Sequence, residues 1–284
     1  MGKNLLSFLA LPIRGLTIYA IAGQGMEIFM ILALDIGNTN IVLGCIDNNN
    51  IYFEGRLATD LGKTEMEYAV LFKNILDIYN VDLSGLEGAI LSSVVPPLNP
   101  VLKNAIHAVT GFVPLDVNIH CNTGLKLDVD HAEEIGSDLI VATVAALEEY
   151  KPPVIIIDMG TATTFWVIDQ NGVPCGGAFM PGVQISQDAL SARTSQLPSI
   201  SFSDLGNVIG RNTVDCMKSG MIYGTAAMID GMIERIEGEI GAKATVLATG
   251  GLAGGIIRHC KRDIIFRDDL LIRGLWTLYE KNKR

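Results

Sequence analysis

Two similar segments of the chain carry residues suited to binding phosphate. Residues 35–40 read DIGNTN and residues 158–164 read DMGTATT, and each segment follows a short apolar run. Glycine lets the backbone approach a phosphate closely, hydroxyl groups donate hydrogen bonds to its oxygens, and a carboxylate holds a cation or its waters. We call residues 35–40 the first tip and residues 158–164 the second tip. One such turn alone is typical of an Asp that caps its own backbone, but two related ones favour phosphate binding.

The elements around the two tips follow the same plan. In each half we predict three strands in a meander, then a helix, a strand and a helix, although the two turns differ by one residue. The segment Lys151-Pro152-Pro153 breaks the chain between the halves. We therefore predict an α/β protein with a first domain over residues 30–150, a second over 151–284, and the tips facing each other across a cleft. This arrangement is typical of kinases and ATPases.

The bulk composition excludes several classes of protein. Apolar residues make up 49% of the 284 residues, charged residues make up 18%, and the net charge is −10. These values indicate a folded domain and argue against nucleic-acid binding, because an acidic surface repels phosphate backbones. Five cysteines without CxxC spacing are typical of reduced thiols in a cytoplasmic protein. No apolar run reaches the roughly 20 residues of a membrane span, so we expect no membrane partner.

The first 29 residues are expected to lie outside the folded domains. They are largely apolar but are interrupted by Pro12 and Arg14, and the first clear strand starts at Met30. We interpret residues 1–29 as a non-functional extension from an upstream start codon. The alternatives are an ordered appendage or a targeting segment.

Three other short motifs are ambiguous by themselves. Gly62-Lys63-Thr64 resembles the end of a P-loop, but Leu57 stands where the first glycine is required, so we predict a helix N-cap completed by Glu67. Residues 136–138 open a helix, and their Asp is either a cap or a general base. The glycine turn 249–251 is either an ordinary loop or the place of a nucleoside. The scattered histidines and the lack of a GxSxG elbow give no support to a protein-built metal centre or to serine hydrolysis.

Taken in order, these motifs resemble the type III pantothenate kinases of the acetate/sugar kinase–Hsc70–actin superfamily. The likeness runs from residue 30 to about residue 280. It includes both tips, residues 136–138, the glycine pairs at 176–177 and 181–182, Asn212-Thr213, Ser219-Gly220 and residues 249–251. The resemblance implies two ribonuclease-H-like (actin-like ATPase) domains with a cleft between them, in a cytoplasmic homodimer whose acceptor site lies near the dimer interface. It also implies ATP-dependent phosphorylation of pantothenate to 4'-phosphopantothenate, the first step of coenzyme A biosynthesis.

The resemblance also assigns roles by position. It implies that ATP is bound by Asp35, Ile36, Gly37, Asn38, Thr39, Asn40, Ile41, Val42 and Thr161. Asp35 would place Mg²⁺ through a water, and Asp158 would bind the monovalent cation, potassium or ammonium. Asp138 would be the general base on the pantothenate hydroxyl. The acceptor would be bound by Gly136, Ser137, Asp138, Leu139 and Thr213.

Two positions depart from the family pattern. The family has an acceptor-binding Arg where this chain has Leu139, and an acceptor-lining Tyr falls at Val129. A leucine cannot form the charged contact of an arginine. Two alternatives therefore stay open beside the pantothenate kinase. One is a diverged paralogue that phosphorylates another small hydroxy compound, and the other is a non-catalytic regulatory protein of the same fold.

Overall fold

The computed structural model describes residues 29–48, 50–118, 120–202 and 206–283. The chain forms two compact units, one of residues 1–121 with 278–284 and one of residues 122–277. Apart from Phe29, the predicted extension lies outside the described residues. Within the described ranges, no helix has both the length and the apolar character needed to cross a membrane.

The first unit is built on a five-stranded mixed sheet with the order β3-β2-β1-β4-β5. β1, β2 and β3 form an antiparallel meander, and β1 pairs in parallel with β4. Parallel pairing needs a crossover, and α1 lies in the connection between β3 and β4. The elements are β1 (Met30–Ile36), β2 (Asn40–Ile46), β3 (Ile51–Ala58), α1 (Glu65–Ile78), β4 (Leu86–Ser93), α2 (Asn99–Thr110) and β5 (Leu115–Asp116).

The start of α1 explains the motif that resembles a P-loop. Thr64 is the N-cap of this helix, and its hydroxyl accepts the Glu67 N–H while the Glu67 carboxylate accepts the Thr64 N–H. This reciprocal pair is the predicted capping box, which satisfies two helix N–H groups that would otherwise lack partners. Gly62 and Lys63 therefore belong to a helix start, as predicted.

The second unit repeats the plan of the first. Its sheet has the order β8-β7-β6-β9-β10, with an antiparallel β6-β7-β8 meander and parallel pairing of β6 with β9. The elements are α3 (Ser137–Glu149), β6 (Val154–Met159), β7 (Ala162–Ile168), β8 (Pro174–Pro181), α4 (Val183–Ala192), α5 (Thr213–Ile240), β9 (Thr245–Thr249), α6 (Ala253–Ile256), β10 (Ile265–Phe266) and α7 (Leu270–Asn282). The predicted α/β class with two related halves is confirmed.

Both faces of the second sheet are covered. Ile155 and Ile157 belong to an apolar core cluster that includes α5 residues, whereas Val154 and Ile156 belong to a cluster that includes α3 residues. Alternate side chains of a strand point to opposite faces, so a run of four apolar residues in β6 serves both clusters. The ends of β6 and β7 are thereby fixed, and these ends carry the second tip.

The compact units differ in two respects from the expected domains, and one is that the end of α7, from residue 278, belongs to the first unit. The helix α3, expected at the end of the first domain, packs within the second unit, which begins at residue 122. Its Thr143 hydroxyl accepts a hydrogen bond of 2.9 Å from the Trp166 indole N–H on β7, and both side chains are buried. The Pro152-Pro153 break therefore separates two elements of one compact unit. Assignment of each half to a ribonuclease-H-like domain with a boundary at 150/151 stays a prediction.

Two other local differences have simple causes. The helix expected over 252–260 is a single turn, α6, followed by a 3₁₀ turn at Ile257–His259. Gly254 and Gly255 in this segment lower helix propensity. The strands β5 and β10 have two residues each, too few for any periodicity to be visible in the sequence.

Candidate active site

The first tip exposes backbone and small polar side chains at the end of a buried hairpin. The Gly37 N–H donates to the Asn40 carbonyl at 2.9 Å, and a Cβ on Gly37 would lie 3.1 Å from the same oxygen. Asn38 and Thr39 are exposed, whereas the flanking Ile36 is fully buried. This tight turn leaves polar groups accessible to a ligand on a rigid support.

Asp35 occupies the end of β1 between two neighbouring strands. Its Cα partners are Val42 on β2 and Ser92 on β4. The predicted residues Ile41 and Val42 begin the return strand, where Ile41 is buried and Val42 is half-buried. The structure therefore brings the eight predicted residues 35–42 into one hairpin.

The second tip has the same plan with a turn that is one residue shorter. The Gly160 N–H donates to the Ala162 carbonyl at 3.0 Å, and the Gly182 N–H donates to the Thr161 carbonyl at 3.1 Å. A Cβ on Gly182 would lie 2.5 Å from the Gly160 oxygen, so only glycine fits beside this turn. Gly160 and Thr161 are exposed.

Two carboxyl groups near the second tip have perturbed acidity. Burial and, to a lesser extent, repulsion by the nearby Asp138 carboxylate together raise the pKa of Asp158 to about 6. Burial also raises the pKa of Asp138, although the N–H groups of Leu139 and of Asp138 itself act in the opposite direction. The Leu139 N–H donates to Asp138 Oδ1 at 2.8 Å. A pair of carboxylates with raised pKa values is typical of acid–base or cation-binding sites.

Two buried hydroxyl groups at the start of β7 have no protein partner in the described chain. The Oγ1 atoms of Thr163 and Thr164 are enclosed and make no hydrogen bond within it. Thr164 is the cross-strand partner of Asp158, and Thr163 is the partner of Met159. Buried polar atoms without partners are unfavourable unless a ligand or water satisfies them. Thr164 lies on the face of the sheet that carries Asp158, whereas Thr163 lies on the opposite face with Met159. The Asp158 carboxylate and the Thr164 hydroxyl are hard oxygen donors, which fit a cation.

The glycine turn after β9 packs against the same carboxylate. A Cβ on Gly250 would lie 2.6 Å from the Met159 carbonyl group and 2.8 Å from Asp158 Oδ1, and Gly250 has a φ of +97°. Thr249, the cross-strand partner of Asp158, is buried. The sequence offered this turn as the place of a nucleoside, but its close contact with Asp158 was not predicted. The parallel pairing of β6 with β9, invisible in the sequence, is what brings the two together.

The start of α3 presents the predicted acceptor residues in an apolar setting. Gly136 is the N-cap, Ser137 is buried, and Asp138 keeps intermediate exposure. Leu139 is only 7% exposed and belongs to the core cluster against which Val129 and Ile135 pack. Position 139 in this chain is therefore part of the core rather than an open polar contact.

Thr213 begins the long helix α5, directly after its N-cap Asn212. The Asn212 side chain accepts the Asp215 N–H at 2.9 Å. Thr213 is exposed and lines an open cavity of about 450 Å³ together with Leu190, Leu197, Cys216, Met217, Gly220 and Met221. Thr213 is thus accessible beside a mostly apolar surface.

Comparison with known proteins agrees with the motif order. The family model described as type III pantothenate kinase matches residues 31–235. A type III pantothenate kinase of Exiguobacterium sp. (strain AT1b) is 42% identical over 255 residues, which cover 90% of this chain and all of the relative. The corresponding protein of Moorella thermoacetica is 41% identical over 89% of this chain and all of the relative.

A solved structure shows the fold independently. A candidate 2-dehydro-3-deoxygalactonokinase from Sinorhizobium meliloti superposes with a TM-score of 0.53 and covers 89% of this chain and 97% of its own. At 9% identity this likeness concerns the fold alone. The family match spans well over half of the chain, and both named relatives match along their entire length. The chain belongs to the type III pantothenate kinase family.

Proposed function

We propose that this protein transfers the γ-phosphoryl group of ATP to the hydroxyl group of pantothenate and so forms 4'-phosphopantothenate for coenzyme A synthesis. The main support from the fold is the pair of partly buried carboxyls, Asp138 and Asp158, together with the Thr164 hydroxyl, which lies opposite Asp158 and has no hydrogen-bond partner in the described chain. Family membership supplies the reaction class. An acidic cluster of this kind is unfavourable in a purely structural role, which favours a catalytic protein over a regulatory one.

The nucleotide is assigned to the first tip and to Thr161. Residues 35–42 form one hairpin whose exposed turn offers N–H groups, amides and a hydroxyl to phosphate oxygens. Asp35 would orient Mg²⁺ through a water, and the divalent ion would offset charge on the transferred group. A local array of donors of this kind is needed because the net charge of −10 opposes anion binding.

Asp138 is assigned as the general base and Asp158 as the ligand of potassium or ammonium. A carboxylate with a raised pKa is a stronger base than an exposed one, and Asp138 lies at a helix start where it can face the acceptor hydroxyl. The base would accept the hydroxyl proton while the oxygen attacks phosphorus. A cation on Asp158 would be favourable because it offsets the repulsion between the two carboxylates.

The acceptor is assigned to Gly136, Ser137, Asp138, Leu139 and Thr213, in a cytoplasmic homodimer. Exposed apolar side chains on α4 and α5 support the dimer, since Ile185, Leu190 and Val214 are at least one-third exposed and Leu190 also lines the cavity at Thr213. Because Leu139 is apolar, the pantothenate carboxylate must find its positive partner at another residue.

Turnover with a set of acceptors tests this function. ATP consumption is measured with Mg²⁺ and potassium, first with pantothenate and then with other small hydroxy acids and amides, for wild type, Asp138→Asn and Asp77→Asn. Asp77 is an exposed carboxylate of α1 and serves as the matched control. We expect pantothenate-dependent turnover by wild type and Asp77→Asn, with a loss of at least about 100-fold in Asp138→Asn. ATP binding is expected to persist in all three.

Each other result has a definite meaning. Turnover of a different acceptor in place of pantothenate would establish a diverged paralogue. ATP binding without turnover of any acceptor would favour the regulatory protein. Full activity of Asp138→Asn would show that Asp138 is not the general base.

A further inference from the structure

Thr59 makes two hydrogen bonds to the first tip. Its hydroxyl donates to the Gly37 carbonyl at 2.6 Å, and its backbone N–H donates to the Thr39 carbonyl at 2.9 Å. Thr59 directly follows β3 and is half-buried, so it reaches the tip from the neighbouring strand. No motif marked this residue in the sequence.

These bonds fix the direction of the peptide groups that a phosphate would meet. In a planar trans peptide, the carbonyl and the following N–H point in opposite directions. When the Gly37 carbonyl is held by Thr59, the Asn38 N–H is therefore turned to the opposite side of the tip. Without the Thr59 hydroxyl, the peptide group between Gly37 and Asn38 would become ordered only when a ligand binds, which costs entropy.

The second tip is a natural comparison within the same chain. Gly182 directly follows β8, as Thr59 follows β3, and its N–H donates to the Thr161 carbonyl in the same way. The backbone bond is thus common to both tips, but Gly182 has no side chain, and none would fit there. The hydroxyl bond of Thr59 is therefore an addition at the first tip rather than a requirement of this type of hairpin.

The residue after Thr59, Asp60, is hydrogen-bonded by a side chain of α1. The hydroxyl group of Tyr68 accepts the Asp60 N–H at 2.9 Å and donates to the Asp60 carbonyl at 2.9 Å. Tyr68 is fully buried in the core of the first unit. Its hydroxyl group holds the backbone of Asp60, the residue after Thr59, so the segment that bonds the first tip is itself tied to the packed core.

We propose that Thr59 is a positioning residue for the nucleotide phosphates, with Tyr68 as its anchor. Thr59 holds the first tip in the orientation in which its N–H groups face the ligand, and it does not touch the acceptor. This inference rests on the assignment of ATP to the first tip.

The test separates nucleotide affinity from folding and from acceptor binding. Thr59→Val removes the hydroxyl but keeps the backbone bond, Thr59→Ser keeps both bonds, and Tyr68→Phe removes the anchor. Thr110→Val is the matched control, because the Thr110 hydroxyl also donates to a carbonyl, that of Ile106 at 2.8 Å on α2. For the full-length protein, one measures the Kd of Mg·ATP by calorimetry without acceptor, the KM values for ATP and pantothenate, kcat, and the melting temperature.

We expect Thr59→Val to raise the Kd and KM for ATP about fivefold, the effect of one hydrogen bond, with the pantothenate KM within about twofold of wild type. Tyr68→Phe should move the same two constants in the same direction. Thr59→Ser and Thr110→Val should keep wild-type ATP affinity. If Thr59→Val does not fold, loss of ATP affinity in folded Tyr68→Phe supports the proposal, and unchanged affinity there overturns it.

Two results would overturn the role of Thr59 alone. One is wild-type ATP affinity in folded Thr59→Val, and the other is an equal loss of affinity for ATP and pantothenate. The proposed function fails separately, if wild type binds ATP but does not turn over pantothenate. If wild type does not bind Mg·ATP, the assignment of the tip and the role of Thr59 are both refuted.

Discussion

The sharpest prediction concerns Asp158, which should make the metal-free protein less stable at neutral pH. Burial and the neighbouring Asp138 raise the pKa of Asp158 from 3.8 to about 6. A carboxyl with a raised pKa in the folded state is harder to ionise there than in the unfolded chain. Replacing it with Asn removes the charge but keeps a similar shape, so Asp158→Asn should raise the free energy of unfolding.

The expected gain depends on pH in a defined way. A shift of about 2 pKa units corresponds to about 3 kcal/mol above pH 7, where Asp158 is ionised in both states. Stability of wild type should rise as the pH falls from about 6 towards 3.8, because the folded protein takes up the proton first. The advantage of Asp158→Asn should therefore shrink from about 3 kcal/mol at pH 7.5 to about 1 kcal/mol at pH 4.5. These are upper values, since Asp158 keeps intermediate exposure and water screens part of the repulsion.

Urea unfolding at several pH values measures this difference. The buffer should contain tetramethylammonium as its cation, so that no potassium or ammonium is present. Asp169→Asn in the β7–β8 turn is a suitable control, because its effect on stability should have the opposite sign. The N–H groups of Val173 and Asn171 lower the pKa of Asp169, so its replacement should destabilise the protein. Addition of potassium should then stabilise wild type but not Asp158→Asn, which would show that the cation binds at the Asp158 carboxylate.

Two results would refute this reasoning. Equal or lower stability of Asp158→Asn at pH 7.5 would mean that hydrogen bonds compensate the buried charge. A stability gain that does not change between pH 7.5 and 4.5 would mean that the substitution acts through packing and not through ionisation.

Three further predictions concern Leu139, Gly250 and the Asp138–Asp158 pair. Leu139→Arg should lower the free energy of unfolding by about 3 kcal/mol or more without improving the pantothenate KM, because Leu139 is a core residue. Urea unfolding measures this loss, with Leu139→Met as the control. A lower pantothenate KM in a fully stable Leu139→Arg protein would contradict the prediction. Gly250→Ala should abolish most turnover because its Cβ would collide with Met159 and displace Asp158, whereas Gly255→Ala, with open space around its Cβ, should keep activity in the same assay. Turnover should fall as the pH drops below about 6, because the Asp138–Asp158 pair, which supplies the base and the cation ligand, then takes up a proton. Turnover that stays constant from pH 7.5 to 5 would contradict this prediction.

The sequence predicted those features that depend on local periodicity or local turn chemistry. Both tips and the capping box of Thr64 follow from patterns within a few residues, and they lie where they were expected. Features that depend on pairing between distant segments were not accessible. The approach of Gly250 to Asp158 requires the parallel register of β6 and β9, and the bond from Thr59 to Gly37 spans 22 residues. The placement of α3 in the second unit goes with contacts between distant segments, the apolar cluster that it shares with β6 and the Trp166–Thr143 bond, which composition cannot reveal.

The two halves share one topology but hold their tips by different means, and this difference favours a division of labour. At the first tip, Thr59 adds a side-chain hydrogen bond to the common backbone scheme. At the second tip, Gly182 allows close packing of backbone, and Asp158 carries a charge whose expected cost is at most about 3 kcal/mol. Domains of this size have a total stability of about 5–15 kcal/mol, so such a cost is large. Fixed hydrogen-bond donors suit a phosphate, and an unfavourable carboxylate suits a cation that relieves it. We therefore expect the first tip to contribute more to phosphate binding and the second tip more to cation binding, although Asp35 and Thr161 are assigned to the other ligand of each pair.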